Sequence, residues 1–270
     1  MRRCMVVMGT LLLAAQGLRA DFITDWTSLA VYSDSNVSVG WHGSVGGSMA
    51  AGGLMAIGDQ ATVQGDLYAG GAITTGWKST FGAAYDHLGS GPFKDIGVPV
   101  FNADASGGDA VQAASKETLS LAPGTYGDVS TAWRGHLQLV AGTYIFDSLT
   151  LGDESTIALD TSGGDVLIFV AGDANLAWKT AIAREGDGGA LLSVGGAFTG
   201  GTEGVWDTSL LAGGPAVVGW NSRVTGQLFA GGDVLLDTQA VVEGVSQTSV
   251  PEPVAAVCLL LGATLLIRRR

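Results

Sequence analysis

The chain has 270 residues, of which 47% are hydrophobic and 14% charged, and it carries 43 glycines; this mixture buries a core, which excludes a disordered chain, and glycine without strict every-third spacing excludes collagen. The formal charge of −12 repels nucleic acid and anionic lipid headgroups. Both cysteines, Cys4 and Cys258, lie in the terminal segments, which excludes a disulfide framework or thiolate metal site in the body.

At the N-terminus, Arg2 and Arg3 precede an apolar run from Met5 to Ala15, and small or weakly polar residues follow to Ala20. This order predicts a secretory signal peptide, a short helix over 1–20, and hence an exported protein. Next come two near-copies of one phrase, VGWHGSVGGSMAAGG at 39–53 and IGDQATVQGDLYAGG at 57–71, offset by 18 residues. Within them apolar and small residues recur at every second position, as in Val63, Gly65, Leu67 and Ala69, which is strand periodicity. The fixed residues are expected to face inward, and Gly70-Gly71 to turn the chain through positive φ.

The stretch 83–120, with GSGPFKDIGVPVF and the helix-prone DAVQAASKETL, breaks the pattern and reads as an insertion or linker between N-terminal coils (21–82) and a main block (121–248). In the main block Gly124 and Gly142 are 18 apart, Leu151/Ile157 and Leu176/Ile182 echo the start of the phrase, and DVLIFVAGD (165–173) is the most apolar strand, expected in the central core. Gly-Gly pairs at 195, 213 and 231 keep the 18-residue step, a third copy, VGWNSRVTGQLFAGG, fills 218–232, and a degraded fourth starts at Leu236. These repeats predict an all-β parallel β-helix, a β-solenoid with about 18-residue coils, in which roughly ten coils stack into a rod on the order of 50 Å.

The chain closes with Val250-Pro251-Glu252-Pro253, an apolar run from Val254 to Ile267, and Arg268-Arg269-Arg270 (segment 249–270). The run falls short of the ~20 residues of a permanent span, so a hydrophobic helix inserted transiently in the inner membrane, its arginines on the cytoplasmic side, is expected. The order of parts resembles the PEP-CTERM sorting signal of Gram-negative bacteria that make exopolysaccharide. The resemblance implies an exosortase as partner, cleavage near Pro-Glu-Pro, and delivery to the cell surface or extracellular matrix. Without both ends the body holds 7 basic and 24 acidic residues, a charge of −17. Over 33–245, LAPGTYGDVS, LVAGTYIFDSLTLG and DTSGGDVLIFVAGD make the body similar to bactofilin-like, polymer-forming repeats, which implies self-assembly.

Chemistry is sparse. The acidic pairs Asp59/Asp66, Asp153/Glu154, Asp165/Asp173 and Asp233/Asp237 are dense enough for general acid–base work, but most flank glycines, where carboxylates cap turns. His42, His87 and His136 have no metal or triad spacing, and no phosphate-binding glycine motif occurs. No cofactor is expected; the one metal alternative is calcium at EGDGG (185–189) or SGGD (106–109). Trp41, Trp77, Trp178 and Trp220 open coil turns, either as a ladder for sugar rings or as caps on the solenoid's sides. These features predict an exported, non-catalytic structural or adhesive component of the cell envelope or polysaccharide matrix, sorted by an exosortase and in contact with exopolysaccharide. The alternative is a secreted solenoid enzyme acting on polysaccharide. An ice-binding solenoid would call for Thr-x-Thr rows, which the sequence lacks.

Overall fold

The computed structural model describes residues 29–89 and 107–244; the signal segment 1–20 and the whole of 249–270, Val250 to Pro253 and Arg268 to Arg270 included, lie outside the described residues. The chain forms a parallel β-solenoid of about ten turns with three faces, and each turn contributes a strand to each face, except that the topmost turn meets the third face only through the single bridge of Thr80 to Thr62. The first and second faces join into one 18-stranded sheet, because Gly124–Thr131 and Gly142–Leu151 run through the corner between them; the third face is a 9-stranded sheet. The described residues contain no helix.

Stacking order differs from chain order. The lowest turn starts with Val111–Ala113, and the main block rises to Val234–Leu236 and Val241–Val242. On that top turn sits the N-terminal block: Val37 pairs with Val234, Ser44 with Val241, and Val31 with Leu228. The N-terminal block continues upward through Met55–Ile57 to Ile73–Thr75 and Ala84–Tyr85. Turns are numbered here from one, at Val111, to ten, at Ile73. The connection from Gly89 to Gly107 therefore joins the top of the stack to its bottom; its 18 peptide steps reach about 60 Å extended, enough for ten spacings of about 4.8 Å.

The core is narrow and lined by in-register columns. On the second face Val129, Leu149, Ala174, Phe198, Ala216, Val234, Val37 and Met55 stack inward, and on the third Leu137, Ile157, Ile182, Trp206, Val224, Val242, Val45 and Val63. All are buried, so the alternation read from the sequence places Val218, Val224, Leu228 and Ala230 where expected.

Two expectations change. The 18-residue step holds at the bottom and from turn five upward, but successive outward residues Ser130, Thr150, Asn175 and Thr199 are 20, 25 and 24 apart, so Gly124 pairs with Tyr144, not Gly142. The additional residues lengthen the third-face strands Thr156–Asp160 and Ala181–Glu185 and the loops after them. Likewise, DAVQAASKETL forms the strands Val111–Ala113 and Thr118–Leu121 of the lowest turn. Pairing with turn two overrides its helical composition.

Candidate functional site

The three outer faces differ in what they offer. Outward residues of the first face form the column Ile145, Phe169, Ser193, Leu211, Phe229, Tyr32, Ala50, Tyr68, Tyr85. Phe169, Leu211, Phe229, Tyr32 and Ala50 are buried there, with Leu88 packed against the same cluster. This face is covered within the chain. The third face carries charge outward, with Arg184, Asp207, Arg223 and Glu243 joined in the ion pairs Arg184–Asp207 (3.3 Å) and Arg223–Glu243 (2.5 Å).

The second face is different. Its central outward column reads Gln112, Ser130, Thr150, Asn175, Thr199, Val217, Leu235, Ser38, Ala56, Thr74 from bottom to top, with no shift in register. None of these ten residues is charged, most have short side chains, and all are exposed or half-exposed. Beside it runs a column of Gly152, Ala177, Gly201, Gly219, Gly40, Gly58 and Gly76, broken by Asp237. The result is a long, level surface without charge along its middle.

Where the second face bends into the third, every turn places a non-glycine residue at positive φ: Lys116, Arg134, Glu154, Lys179, Glu203, Asn221, Gln239, His42, Gln60 and Lys78. The backbone N–H of each, up to Gln60, donates to a carbonyl one turn higher, in order to Trp133, Asp153, Trp178, Thr202, Trp220, Thr238, Trp41, Asp59 and Trp77. Tryptophan therefore occupies this corner at turns two, four, six, eight and ten. Trp41, Trp77, Trp178 and Trp220, separate in sequence, are brought onto one edge and stand exposed, between 39% and 62%. Trp133, 42% exposed, completes the row; it lies outside the recognisable copies of the repeated phrase, so the repeat does not point to it. Its one signal is a tryptophan followed by a polar residue, as in the other four.

The carboxylates are structural fasteners. One oxygen of Asp59 accepts from Trp77 N–H (2.6 Å), of Asp66 from Ala83 (2.7 Å), of Asp153 from Trp178 (3.2 Å), of Asp165 from Gly189 (2.7 Å) and of Asp173 from Ala197 (2.8 Å), each on the next turn. Asp237 accepts from Thr238 N–H (2.6 Å), and Asp233 accepts from Ser35 Oγ (2.5 Å) and Asn36 N–H (3.1 Å). The bonds to Ser35 and Asn36 hold the Asp233 carboxyl below the usual range, and Arg134 and Trp133 do the same for Glu154. The histidines stay apart: His42 lies against the Trp41 ring at turn eight, His87 beside Asp86 at the top, and His136 at the third face of turn two. Among the described residues no group of three or more His, Cys, Asp or Glu side chains is placed to hold a metal ion.

A family model described as a domain of unknown function, DUF7305, matches residues 102–210. No curated protein matches the chain. Similar solved structures include an ice-binding protein from an Antarctic biological consortium (13% identity, 80% of this chain and 86% of that one, TM-score 0.45) and a glycosylated ice-binding protein from an Arctic yeast (15%, 84% and 94%, 0.46). A third is the DUF3494 domain of an ice-binding protein from Shewanella frigidimarina (16%, 84% and 98%, 0.35). At these identities the likeness is one of fold.

None of these matches is a PEP-CTERM protein or a bactofilin-like polymer, and they overturn both resemblances and the functions drawn from them, an exosortase-sorted matrix component or a polysaccharide-acting enzyme. The physical reason lies in the repeat itself. Its Gly-Gly phrase answers a packing constraint that any narrow solenoid shares: a Cβ on Gly231 would stand 2.4 Å from the Gly213 carbonyl oxygen, and one on Gly70 2.1 Å from that of Gly52.

Proposed function

We propose that the protein is exported, is not an enzyme, and binds ice through its second face. The observation that carries this reading is the uncharged ten-turn column from Gln112 to Thr74 in a chain whose net charge is −12. Ice offers neither charge nor a protruding group to grip. A surface that docks on it must be level, repeat at a fixed spacing, and avoid charged groups, whose hydration shells do not fit the lattice. Short hydroxyl, amide and methyl groups, set about 4.8 Å apart along the stack, meet these conditions, and many weak contacts on one rigid body add. The Thr-x-Thr rows sought in the sequence are absent; one column of Ser, Thr, Asn, Val and Ala flanked by glycine takes their place. The solved structures above are of ice-binding proteins, which makes ice the first ligand to test, but the proposal rests on this face.

Thermal hysteresis and ice-crystal shaping test it. The protein is expected to show a gap between melting and growth temperatures, and the double substitution Thr150→Lys with Thr199→Lys to reduce that gap several-fold with circular dichroism unchanged. Absence of hysteresis in the unaltered protein, or equal hysteresis in the variant, would refute the reading.

A further inference from the structure

We propose that the tryptophan edge is a second, separate site: a rail for an extended, neutral, β-linked pyranose chain, seated on Trp133, Trp178, Trp220, Trp41 and Trp77. Successive indoles stand two turns apart, about 9.6 Å on a 4.8 Å rise. In a flat 1,4-linked chain successive sugars turn over, so every second ring shows the same face at a repeat close to that spacing. The apolar C–H side of a pyranose packs on an indole face while its hydroxyls stay in water.

The alternation is not a by-product of the sequence repeat. From Trp133 to Trp178 is 45 residues, from Trp178 to Trp220 is 42, and from Trp41 to Trp77 is 36, yet each step is two turns. The phase also continues across the junction between blocks, from Trp220 at turn six to Trp41 at turn eight, where no chain continuity enforces it. Nor does the fold demand an indole here. Asp153, Thr202, Thr238 and Asp59 occupy the same corner on the intervening turns.

Three of the five rings are held in place before any ligand arrives. Lys78 lies over Trp77 (4.2 Å), Lys179 over Trp178 (4.4 Å), and Lys116 and Arg134 over Trp133 (4.9 and 4.4 Å). The indole N–H of Trp133 donates to Glu154 (3.2 Å) and that of Trp178 to Glu203 (3.4 Å). Such pre-organisation lowers the entropy lost on binding. The edge is mixed in charge: Lys116, Arg134, Lys179 and Lys78 alternate with Asp153, Glu154, Glu203, Asp59 and Asp237. A neutral polymer suits it better than a polyanion or polycation. Asp153 and Asp59 each use one oxygen on the backbone of the next turn, and the other can accept from a sugar hydroxyl between two indoles.

Affinity electrophoresis of the full chain through gels containing hydroxyethylcellulose, xylan or glucomannan tests the rail. Retardation is expected in at least one gel, and the pair Trp178→Thr with Trp220→Thr should abolish it. Threonine is the residue that turns five and seven already carry at this corner, so the variant keeps a foldable edge; an unchanged melting temperature verifies this. No retardation of the unaltered protein in any of the three gels, or undiminished retardation of the variant, would overturn the proposal. The same variant should retain thermal hysteresis, and Thr150→Lys/Thr199→Lys should retain retardation, so the two sites stand or fall separately.

Discussion

Trp206 shows how single residues are fitted to their turn. Its position on the third face is filled by Ile182 below and Val224 above, and an indole fits because glycine faces it. A Cβ on Gly200 would lie 2.1 Å from the indole Cη2, and one on Gly204 2.3 Å from Cζ2. Phe198 meets the ring edge-on at 5.5 Å, and the buried indole N–H donates to Thr180 Oγ1 at 3.2 Å. Gly200→Ala is therefore expected to cost about 1–3 kcal/mol by overpacking, measured as a lowered midpoint of denaturant unfolding, and Gly200→Ala with Trp206→Val to recover part of it. Composition does not separate Trp206 from the exposed tryptophans. Register does, since 206 lies 18 residues before the inward Val224, whereas Trp41 and Trp220 follow the closing glycine of a strand.

At the scale of the element, the corner between second and third faces is the recurring device. The left-handed conformation there is adopted by lysine, glutamate, glutamine, histidine, arginine and asparagine at φ between 53° and 62° over ten turns. The Gly-Gly pairs at the opposite corner, expected from the sequence at positive φ, are absent from that conformation and exist because stacked carbonyls leave no room for a Cβ. Periodicity thus exposed the strands and the glycine columns, but not the reason for the glycines, because composition does not distinguish a conformational from a contact requirement. An ordinary L-residue in this region is strained by roughly 1–2 kcal/mol, offset by its N–H bond to the next turn and least for asparagine. Asn221→Val is expected to destabilise by at least about 1 kcal/mol, whereas Gln239→Gly should be neutral or stabilising; urea titrations of the two variants check the pair.

For the whole molecule, the main consequence of the topology is that two blocks separated in sequence form one stack. Chain order gave the coils and their approximate number; the seating of turn eight on turn seven was illegible, because parallel pairing of like with like fits many register choices equally well. The uncharged face was illegible for the same reason, since its ten residues are 18 to 25 apart within the main block and resume in the other block. At the junction Asp233 accepts from Ser35 Oγ, Asn36 N–H and Asn36 Nδ2, and its carboxyl is held low, first by Ser35. A depressed folded-state value means stability that is present above the unfolded carboxylate range, about pH 3.9, and is lost as pH falls through the folded value. Melting temperature should therefore fall on acidification below about pH 4, and Asp233→Asn should flatten that fall; an identical pH profile in the variant would contradict the role. The central claim, that one face of three meets ice, is tested most directly by placing one lysine on each exposed face, Thr199→Lys on the second and Thr156→Lys on the third, and comparing thermal hysteresis. A large loss is expected for Thr199→Lys and none for Thr156→Lys; equal losses, or a loss confined to Thr156→Lys, would contradict ice binding by the second face.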